Sequence, residues 1–288
     1  MAFNDDPNEI QRRVNLEDRL RRQLEDPLAR DFRRLFRQIG TDIVDMFTLT
    51  GRVVDAAQYI PDVSAFLRTA YTRTVNVFNH SVEDHIIDNQ NDFNEELIAA
   101  LLFTADQRGT SFDDEFGRFI SQRNVQTQQF INQTIPVRVE EITRTNQTNI
   151  DRAITQAVTA AAETGEDVAQ RVIAQDAGRL FTKNNLFRGA MIAETEILTA
   201  SEGVKAIEVA SFMAVSGALA QLQSEKIWVT MGDDKVRPSH VAVDFSVVLE
   251  NEAFIVGGFP MQHPGDDSMG APASEIVRCR CNTQYVIQ

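Results

Sequence analysis

Residues 227–240 read IWVTMGDDKVRPSH, and residues 275–281 read EIVRCRC. Both segments belong to residues 225–288, which hold the only Trp of the chain, both Cys residues and two of its four His residues. Residue types this rare, gathered in one short stretch, indicate where specific chemistry is to be found. We therefore expect residues 225–288 to form a compact module that contains Trp, His and Cys.

The beginning of this stretch carries signals for a strand, a turn and a short helix. Residues 227–230 are β-branched and aromatic, which predicts a strand, and residues 231–234 (MGDD) favour a turn. Residues 237–240 (RPSH) predict a short helix or tight turn that carries His240. Asp244 follows four residues later, so the two side chains are expected on one helix face.

The end of the stretch, residues 277–286, predicts a closing strand. Side chains alternate across a strand, so Cys279 and Cys281 would face one side of the sheet. Arg278 and Arg280 would face the other.

Two Cys and two His residues form a possible tetrahedral zinc set. The candidate ligands are His240, His263, Cys279 and Cys281. A closed zinc site would stabilise a small module that has few large apolar residues. The alternative is a pair of buried thiols beside a His240 that is hydrogen-bonded to Asp244 or Asp266. The sequence leaves both arrangements open.

The composition bounds what the whole chain can do. With 288 residues, the chain is long enough for one large domain or two ordinary ones. A formal net charge of -14 and a pI near 4.8 argue against a DNA-binding surface that covers the whole molecule. The two Cys residues are separated by one residue, which predicts reduced thiols or a metal site. The apolar segments are too short to span a bilayer, and no signal-peptide pattern begins the chain.

The N-terminal segment predicts a long helix. Apolar residues recur at every fourth position, which forms a ridge that winds slowly around a helix; they are Leu16, Leu20, Leu24, Leu28, Phe32 and Phe36. Pro27 interrupts the pattern, so we expect two helices or one kinked helix.

Arginines crowd the other faces of this segment; they are Arg12, Arg13, Arg19, Arg21, Arg22, Arg30, Arg33, Arg34 and Arg37. Because acidic residues are interleaved with them, one interpretation is a solvated helix face with ion pairs. The other is an arm that docks on an acidic partner or on packaged DNA, since arginine pairs well with carboxylates and phosphates.

The remainder of the chain keeps a helical period, with breaks predicted at Gly51, Pro61, Gly109 and Gly117. The composition changes after Pro136. We predict a mainly α protein with a small C-terminal α+β domain. Its parts are an N-terminal helical region at residues 1–135, a helical connector at 136–224 and the C-terminal domain at 225–288.

Five short motifs, in this order, resemble the phage Mu F-like minor head proteins, also called phage head morphogenesis proteins. They are residues 191–196 (MIAETE), 228–230 (WVT), 233–240 (DDKVRPSH), 264–266 (PGD) and 279–281 (CRC). The resemblance covers a little under half of the chain, from about Gly165 to the C-terminus. It implies structural roles for the motif residues Trp228, Asp233, Arg237, His240, Asp244 and Asp266.

The sequence departs from the family pattern at two positions. Family members commonly carry Gly where this chain has Phe245, and commonly carry Asn where this chain has Arg278.

The resemblance implies a non-enzymatic, low-copy structural protein inside the head of a tailed bacteriophage, near the portal vertex. There it would assist head morphogenesis and DNA packaging or delivery. Expected partners are the portal protein, the major capsid or scaffolding protein and packaged double-stranded DNA. Assembly would take place in the cytoplasm of the bacterial host, without a membrane partner.

The alternative is an enzyme such as a nuclease, peptidase or toxin-like protein that uses the His and Cys residues. Arg278 and Arg280 could then lower the pKa of a nucleophilic Cys. Against this reading, the sequence contains no Gly-rich phosphate loop and no nucleophile elbow.

Overall fold

The structure of the chain, a computed structural model, describes residues 7–87, 92–164 and 168–287. The long helices are α1 Pro7–Thr50, α2 Ile60–Ile87, α3 Asp92–Arg108, α4 Phe112–Glu163, α5 Gln170–Asn185 and α6 Arg188–Phe212. A 3-10 turn (Ala56–Tyr59) precedes α2, and a π turn (Met213–Gly217) leads from α6 into the short α7 (Ala218–Ala220). Among these described helices, none combines the length and apolar content needed to cross a membrane.

The strands of the described ranges all lie in the C-terminal part of the chain. They are β1 Ser224–Val229, β2 Val247–Leu249, β3 Phe254–Val256, β4 Phe259–Met261 and β5 Asn282–Ile287, with short helices α8 Pro238–Val241 and α9 Ala273–Ile276. One antiparallel sheet has the order β2-β1-β5, and β3 and β4 form a separate hairpin. The prediction of a mainly α protein with a small C-terminal α+β region is confirmed.

The predicted closing strand is wrong in its first half, because β5 begins only at Asn282. Before it, the backbone N–H of Cys279 donates to the carbonyl of Ile276 at 3.1 Å, so the chain turns there. Arg278 adopts a positive φ of 58°, which an extended strand does not allow. Both Cys side chains are nevertheless buried, although strand alternation is not the reason.

Glycine and proline proved unequal as signals for helix ends. Gly51 and Gly109 follow the last residues of α1 and α3 with φ of 67° and 64°, as predicted. α1 continues as one helix through Pro27, which is the second of the two alternatives at that position. Gly117 and Pro136 lie inside α4, so the predicted break at Gly117 is wrong. Proline removes one backbone hydrogen bond, a loss that tertiary packing of a long helix can offset.

The chain divides into two compact units, each assembled from separate segments. The first unit comprises residues 7–24, 71–87, 92–131 and 194–287, and the second comprises 25–70, 132–164 and 168–193. Helices α1, α2, α4 and α6 each contribute residues to both units. The division of the sequence at residues 135 and 224 stays a prediction about domains; Pro136 lies in the middle of α4.

The second unit is a helical bundle with an aromatic core. The ring of Phe32 meets Phe66 edge-on at 5.9 Å, and Phe36 meets Phe181 edge-on at 6.2 Å. A step of four residues turns a helix about 40° beyond a full turn. The apolar ridge therefore rotates from the exposed Leu16 to the fully buried Phe36.

Two glycines let α1 and α5 approach closely within the second unit. A Cβ on Gly178 would stand 2.6 Å from the carbonyl oxygen of Gly40, and one on Gly40 would stand 3.1 Å from the carbonyl oxygen of Gly178. Backbone atoms cannot move aside as a flexible side chain can. Contact at this point therefore requires glycine on both helices.

We expect Gly178→Ala to destabilise the protein by roughly 1–3 kcal/mol, because the helices must separate to admit the methyl group. Gly117→Ala is the matched control, because a Cβ at this exposed helical position meets nothing within 4 Å. The free energy of unfolding of this control should rise by about 0.5–1 kcal/mol. Urea unfolding of both variants measures the difference, and equal effects of the two substitutions would contradict the proposed close packing.

Candidate metal centre

His240, Cys279 and Cys281 meet in the core of the C-terminal module. Only 1% of His240, 4% of Cys279 and 3% of Cys281 is exposed, and their potential ligand atoms all lie within 4.8 Å of one another. The surrounding core is apolar and includes Trp228, Phe254 and Met261. This group of side chains could hold a metal ion.

Local structure fixes the direction of the His240 ring. Arg237 precedes α8 with extended backbone, and Pro238 begins the helix, a position where proline costs no hydrogen bond. His240 therefore points inward from a single helical turn. The ring of Trp228 on β1 meets it edge-on, with 5.4 Å between the ring centroids.

The distances within the group fit one tetrahedral ion. Nδ1 of His240 lies 3.3 Å from Sγ of Cys281 and 3.6 Å from Sγ of Cys279. Two ligands of a tetrahedral zinc ion, at ordinary Zn–N and Zn–S bond lengths, stand about 3.5 Å apart. The imidazole nitrogen is thus spaced from each sulfur as one zinc ligand is from another.

The two thiols have opposite pKa shifts. A hydrogen bond from Cys281, together with His240, holds the pKa of Cys279 well below its usual value. The same bond, along with burial, raises the pKa of Cys281 well above it. Thiolates are the form of cysteine that binds metals.

His263, the fourth candidate ligand, is not brought to this group. Its Nδ1 lies 3.0 Å from the carbonyl oxygen of Pro264. Burial opposes the ionisation of Asp266, but His263 and hydrogen bonds from Ser268 and Gln262 outweigh it and lower the pKa of Asp266. The sequence could not separate His263 from His240, because spacing alone gives no direction to a side chain.

The other residues singled out in the sequence hold backbone segments around the group. Asp244 accepts from the N–H of Thr230 at 2.8 Å, and Asp266 accepts from the N–H groups of Gln262 at 2.7 Å and Ser268 at 2.9 Å. The His240 ring instead contacts the two thiols and a different acid, described below.

Arg237 and Asp233 hold the segment that carries the cysteines. The Arg237 guanidinium donates to the carbonyl of Val277. Asp233 accepts two hydrogen bonds from Arg280, at 2.6 and 2.8 Å, and this contact lowers the pKa of Asp233. Arg280 is therefore paired with a carboxylate and is not directed at the thiols.

Glu275 was missed by the sequence analysis. Its Oε2 lies 3.1 Å from Nε2 of His240 and accepts from the hydroxyl of Ser239 at 2.7 Å. Glu275 lies in the first turn of α9, 35 residues from His240 in the chain. A lone glutamate at such a distance gives no signal in a single sequence.

The motif in α6 (residues 191–196) contacts the cysteine segment directly. Glu194 pairs with the Arg278 guanidinium at 2.5 and 3.3 Å, and Thr195 accepts from the N–H of Arg278 at 3.2 Å. Glu196 accepts from the hydroxyl of Tyr71 at 2.9 Å in the core. The motif thus joins α6 to the residues before Cys279.

The beginning of α1 is part of the same unit. Ile10 and Val14 pack with Ile227 and Val229 on β1. The apolar core of the sheet therefore includes residues from the opposite end of the sequence.

Arg21, expected on the surface, is buried beside the fully buried Glu202 and forms an ion pair with it. Glu202 also accepts from the N–H of Thr283 at 3.0 Å, and Arg21 donates to the carbonyl of Cys281 at 3.4 Å. Burial opposes the ionisation of Glu202, but Lys205 and Arg21 lower its pKa overall. The N-terminal helix therefore holds the segment that follows the cysteines.

The two departures from the family pattern both fall on left-handed backbone. Phe245 has a φ of 57° and Arg278 a φ of 58°. Gly adopts this conformation without strain, and Asn tolerates it better than most residues do. The residues common in the family at these positions, Gly and Asn, are the two that this backbone favours.

No family model matches this chain, and neither the curated proteins nor the solved structures give a match. The class of the protein is therefore inferred from the motifs and their geometry.

We expect Phe245→Gly to be more stable than Phe245→Ala by about 1 kcal/mol, because only Gly relieves the left-handed strain. Both substitutions remove the ring, so their difference isolates the backbone. Val241 in α8 is the control position. There the Ala variant should be more stable than the Gly variant by about 0.5–1 kcal/mol, because Ala has the higher helix propensity. Thermal unfolding compares the four variants, and an advantage for Ala at both positions would count against the left-handed turn.

Proposed function

We propose that the chain is a structural, non-enzymatic minor head protein of a tailed bacteriophage, similar to the Mu F-like proteins. The observation that carries the proposal is the left-handed backbone at Phe245 and Arg278. Gly and Asn at these positions in the family have a physical reason in this fold. This agreement supports the proposal more strongly than the short motifs do by themselves.

The contacts among the motifs support the same proposal. Motif residues that are widely separated in sequence meet: His240 contacts both cysteines, and Asp233 contacts Arg280. Gly265 of the PGD motif has a φ of 81° and accepts a hydrogen bond from Thr199 of α6 at 3.3 Å. A motif series that builds one core fits a structural module.

Burial favours this role over the enzymatic alternative. Cys279, His240 and Glu275 have the order of a nucleophile, a base and an orienting acid. However, no more than 4% of either thiol is exposed, and only 1% of His240 is. A catalytic Cys has to reach its substrate, and reactive cysteines are partly exposed. Buried ligands are better suited to holding the module together.

We further propose that His240, Cys279 and Cys281 bind a structural zinc ion. Two thiols and one imidazole form a donor set that zinc prefers, and their spacing fits the ion. Three protein ligands leave the remaining tetrahedral position to water or to another donor. Zinc would tie α8 to the segment before β5.

The partner surface that we assign is a row of arginines on α1. Arg30, Arg34 and Arg37 are exposed, and their spacing places them along one helix face. Within the described part of the chain, Arg30 and Arg37 have no carboxylate partner, and Arg34 only approaches Asp31 at 3.9 Å. On a protein of net charge -14, such a row favours an acidic partner surface, which we take to be that of the portal protein.

We expect the protein in purified virions of the phage that encodes it, at few copies relative to the major capsid protein. Quantitative mass spectrometry measures this. Arg30→Glu, Arg34→Glu and Arg37→Glu combined should reduce incorporation at least tenfold. The matched control reverses three other exposed arginines of the second unit, Arg52, Arg68 and Arg171, and should be incorporated normally.

Absence of the protein from virions, while it is abundant in the lysate, would contradict the proposed function. Normal incorporation of the first triple variant would remove only the assigned surface. These substitutions leave α1 in place, so Ile10 and Val14 remain in the core of the first unit.

We expect one zinc ion per chain in protein purified with zinc present. Cys279→Ser, Cys281→Ser and His240→Ala should each lose most of it, because three ligands leave little redundancy. His263→Ala is the control and should keep its zinc. Elemental analysis measures the content, and thermal unfolding should show the three ligand variants destabilised. Metal-free wild-type protein after incubation with excess zinc would contradict the zinc site.

A further inference from the structure

The imidazole of His240 has a different chemical group on each of its two nitrogens. Nδ1 faces the two thiols at 3.3 and 3.6 Å, while Nε2 faces the carboxylate of Glu275 at 3.1 Å. Asp244 and Asp266, the acids expected from the sequence, bind backbone N–H groups instead. The acid beside His240 therefore comes from α9.

The Glu275 carboxylate is held firmly in this position. Its Oε2 accepts from the hydroxyl of Ser239 at 2.7 Å as well as facing Nε2 of His240. The turn between β3 and β4 packs against its other oxygen: a Cβ on Gly257 would stand 3.1 Å from Oε1. Gly257 also has a φ of 59°, a backbone conformation that favours glycine. The carboxylate is thus enclosed by α8, α9 and the hairpin.

The chemistry of the two partners decides where the proton of a neutral imidazole resides. A carboxylate without a proton can only accept a hydrogen bond, so the ring places its N–H on the side of Glu275. The lone pair is then on Nδ1, directed at Cys279 and Cys281. A metal binds the nitrogen that carries the lone pair.

We propose that Glu275 is a positioning residue that selects the Nε2–H form of His240 and thereby makes Nδ1 the metal-binding nitrogen. The inference rests on the zinc site proposed above. It adds a residue outside the three ligands, and it specifies which nitrogen of His240 binds the ion. A carboxylate in this place also makes the imidazole a stronger ligand.

Without Glu275, the ring can place its proton on either nitrogen. A fraction of the molecules would then present an N–H to the metal, and the ring would lose the contact that fixes its orientation. Loss of such a partner typically weakens metal binding by about 10–100-fold.

The first measurement is zinc affinity, determined by competition with a chromophoric chelator on the full-length protein. Glu275→Ala should weaken the affinity by about 10–100-fold. Glu275→Gln should weaken it less, because the amide oxygen can still accept from Nε2–H. Glu252→Gln is the matched control: Glu252 caps the backbone N–H of Leu249 in the same module and should have no effect.

The second measurement reports the proton directly and needs no metal. In metal-free protein, the ¹⁵N chemical shifts of the His240 ring should identify the Nε2–H form in the wild type. Glu275→Ala should give a mixture of the two forms. If Glu275→Ala fails to fold, Glu275→Gln, which has nearly the same shape, provides the comparison with Glu252→Gln.

The cobalt(II) complex provides a third reading. Thiolate-to-cobalt absorption should be present in the wild type and in the Glu275 variants saturated with cobalt, because the cysteine ligands are unchanged. The Glu275 variants should need more cobalt to reach saturation.

The outcomes separate the two proposals. Wild-type affinity in Glu275→Ala, or a wild-type ring protonated at Nδ1, would overturn the role of Glu275 while leaving the zinc site standing. A wild type that binds neither zinc nor cobalt would overturn the zinc site. The ring measurement would still decide whether Glu275 selects the proton position.

Discussion

The imidazole of His240 is the point on which the C-terminal module depends. It is almost completely buried, and a buried polar ring is costly unless its nitrogens have partners. Those partners come from two other segments: the thiols precede β5, and Glu275 belongs to α9. Trp228 on β1 covers the ring edge-on. The sheet, both short helices and the cysteine segment must therefore be in place together.

The two positions at which the sequence departs from the Mu F-like pattern share an unusual backbone conformation. Left-handed residues at Phe245 and Arg278 turn the chain after α8 and before the cysteines. Gly or Asn would make these turns at little cost, whereas this chain uses two large side chains. At Arg278 the strain is offset by an ion pair with Glu194 and a hydrogen bond to Thr195. At Phe245 the ring is half-exposed, and the backbone N–H donates to the carbonyl of Trp228 at 2.7 Å.

The proposed role in a phage head calls for a module that keeps its shape, and buried charge is one source of that rigidity. Arg21 and Glu202 are both buried, and their neighbours include the backbone of Cys281 and Thr283. Removing one member of such a pair leaves an uncompensated charge, typically at a cost of about 3–5 kcal/mol. The beginning of α1 and the end of the chain thus depend on each other for stability.

The sequence by itself determined the helical character, the ends of α1 and α3 at glycine, the strand that carries Trp228 and the short helix that carries His240. These features follow from local residue preferences and from periodicity, which operate over a few neighbouring residues. It also identified three of the ligand candidates, because rare residue types stand out without any structure.

Only the tertiary structure decided which of these residues meet. Glu275 and Arg21 were not recognised, because their partners lie 35 and 181 residues away in the chain. The structure brings together three of the four ligand candidates and leaves His263 out of the group, since composition says nothing about the direction of a side chain. Pro27 and Gly117 did not end their helices, because a local preference of a few kcal/mol at most is outweighed when a long helix is packed along its length. Contacts between distant segments depend on the whole core, and a single sequence read locally contains no record of them.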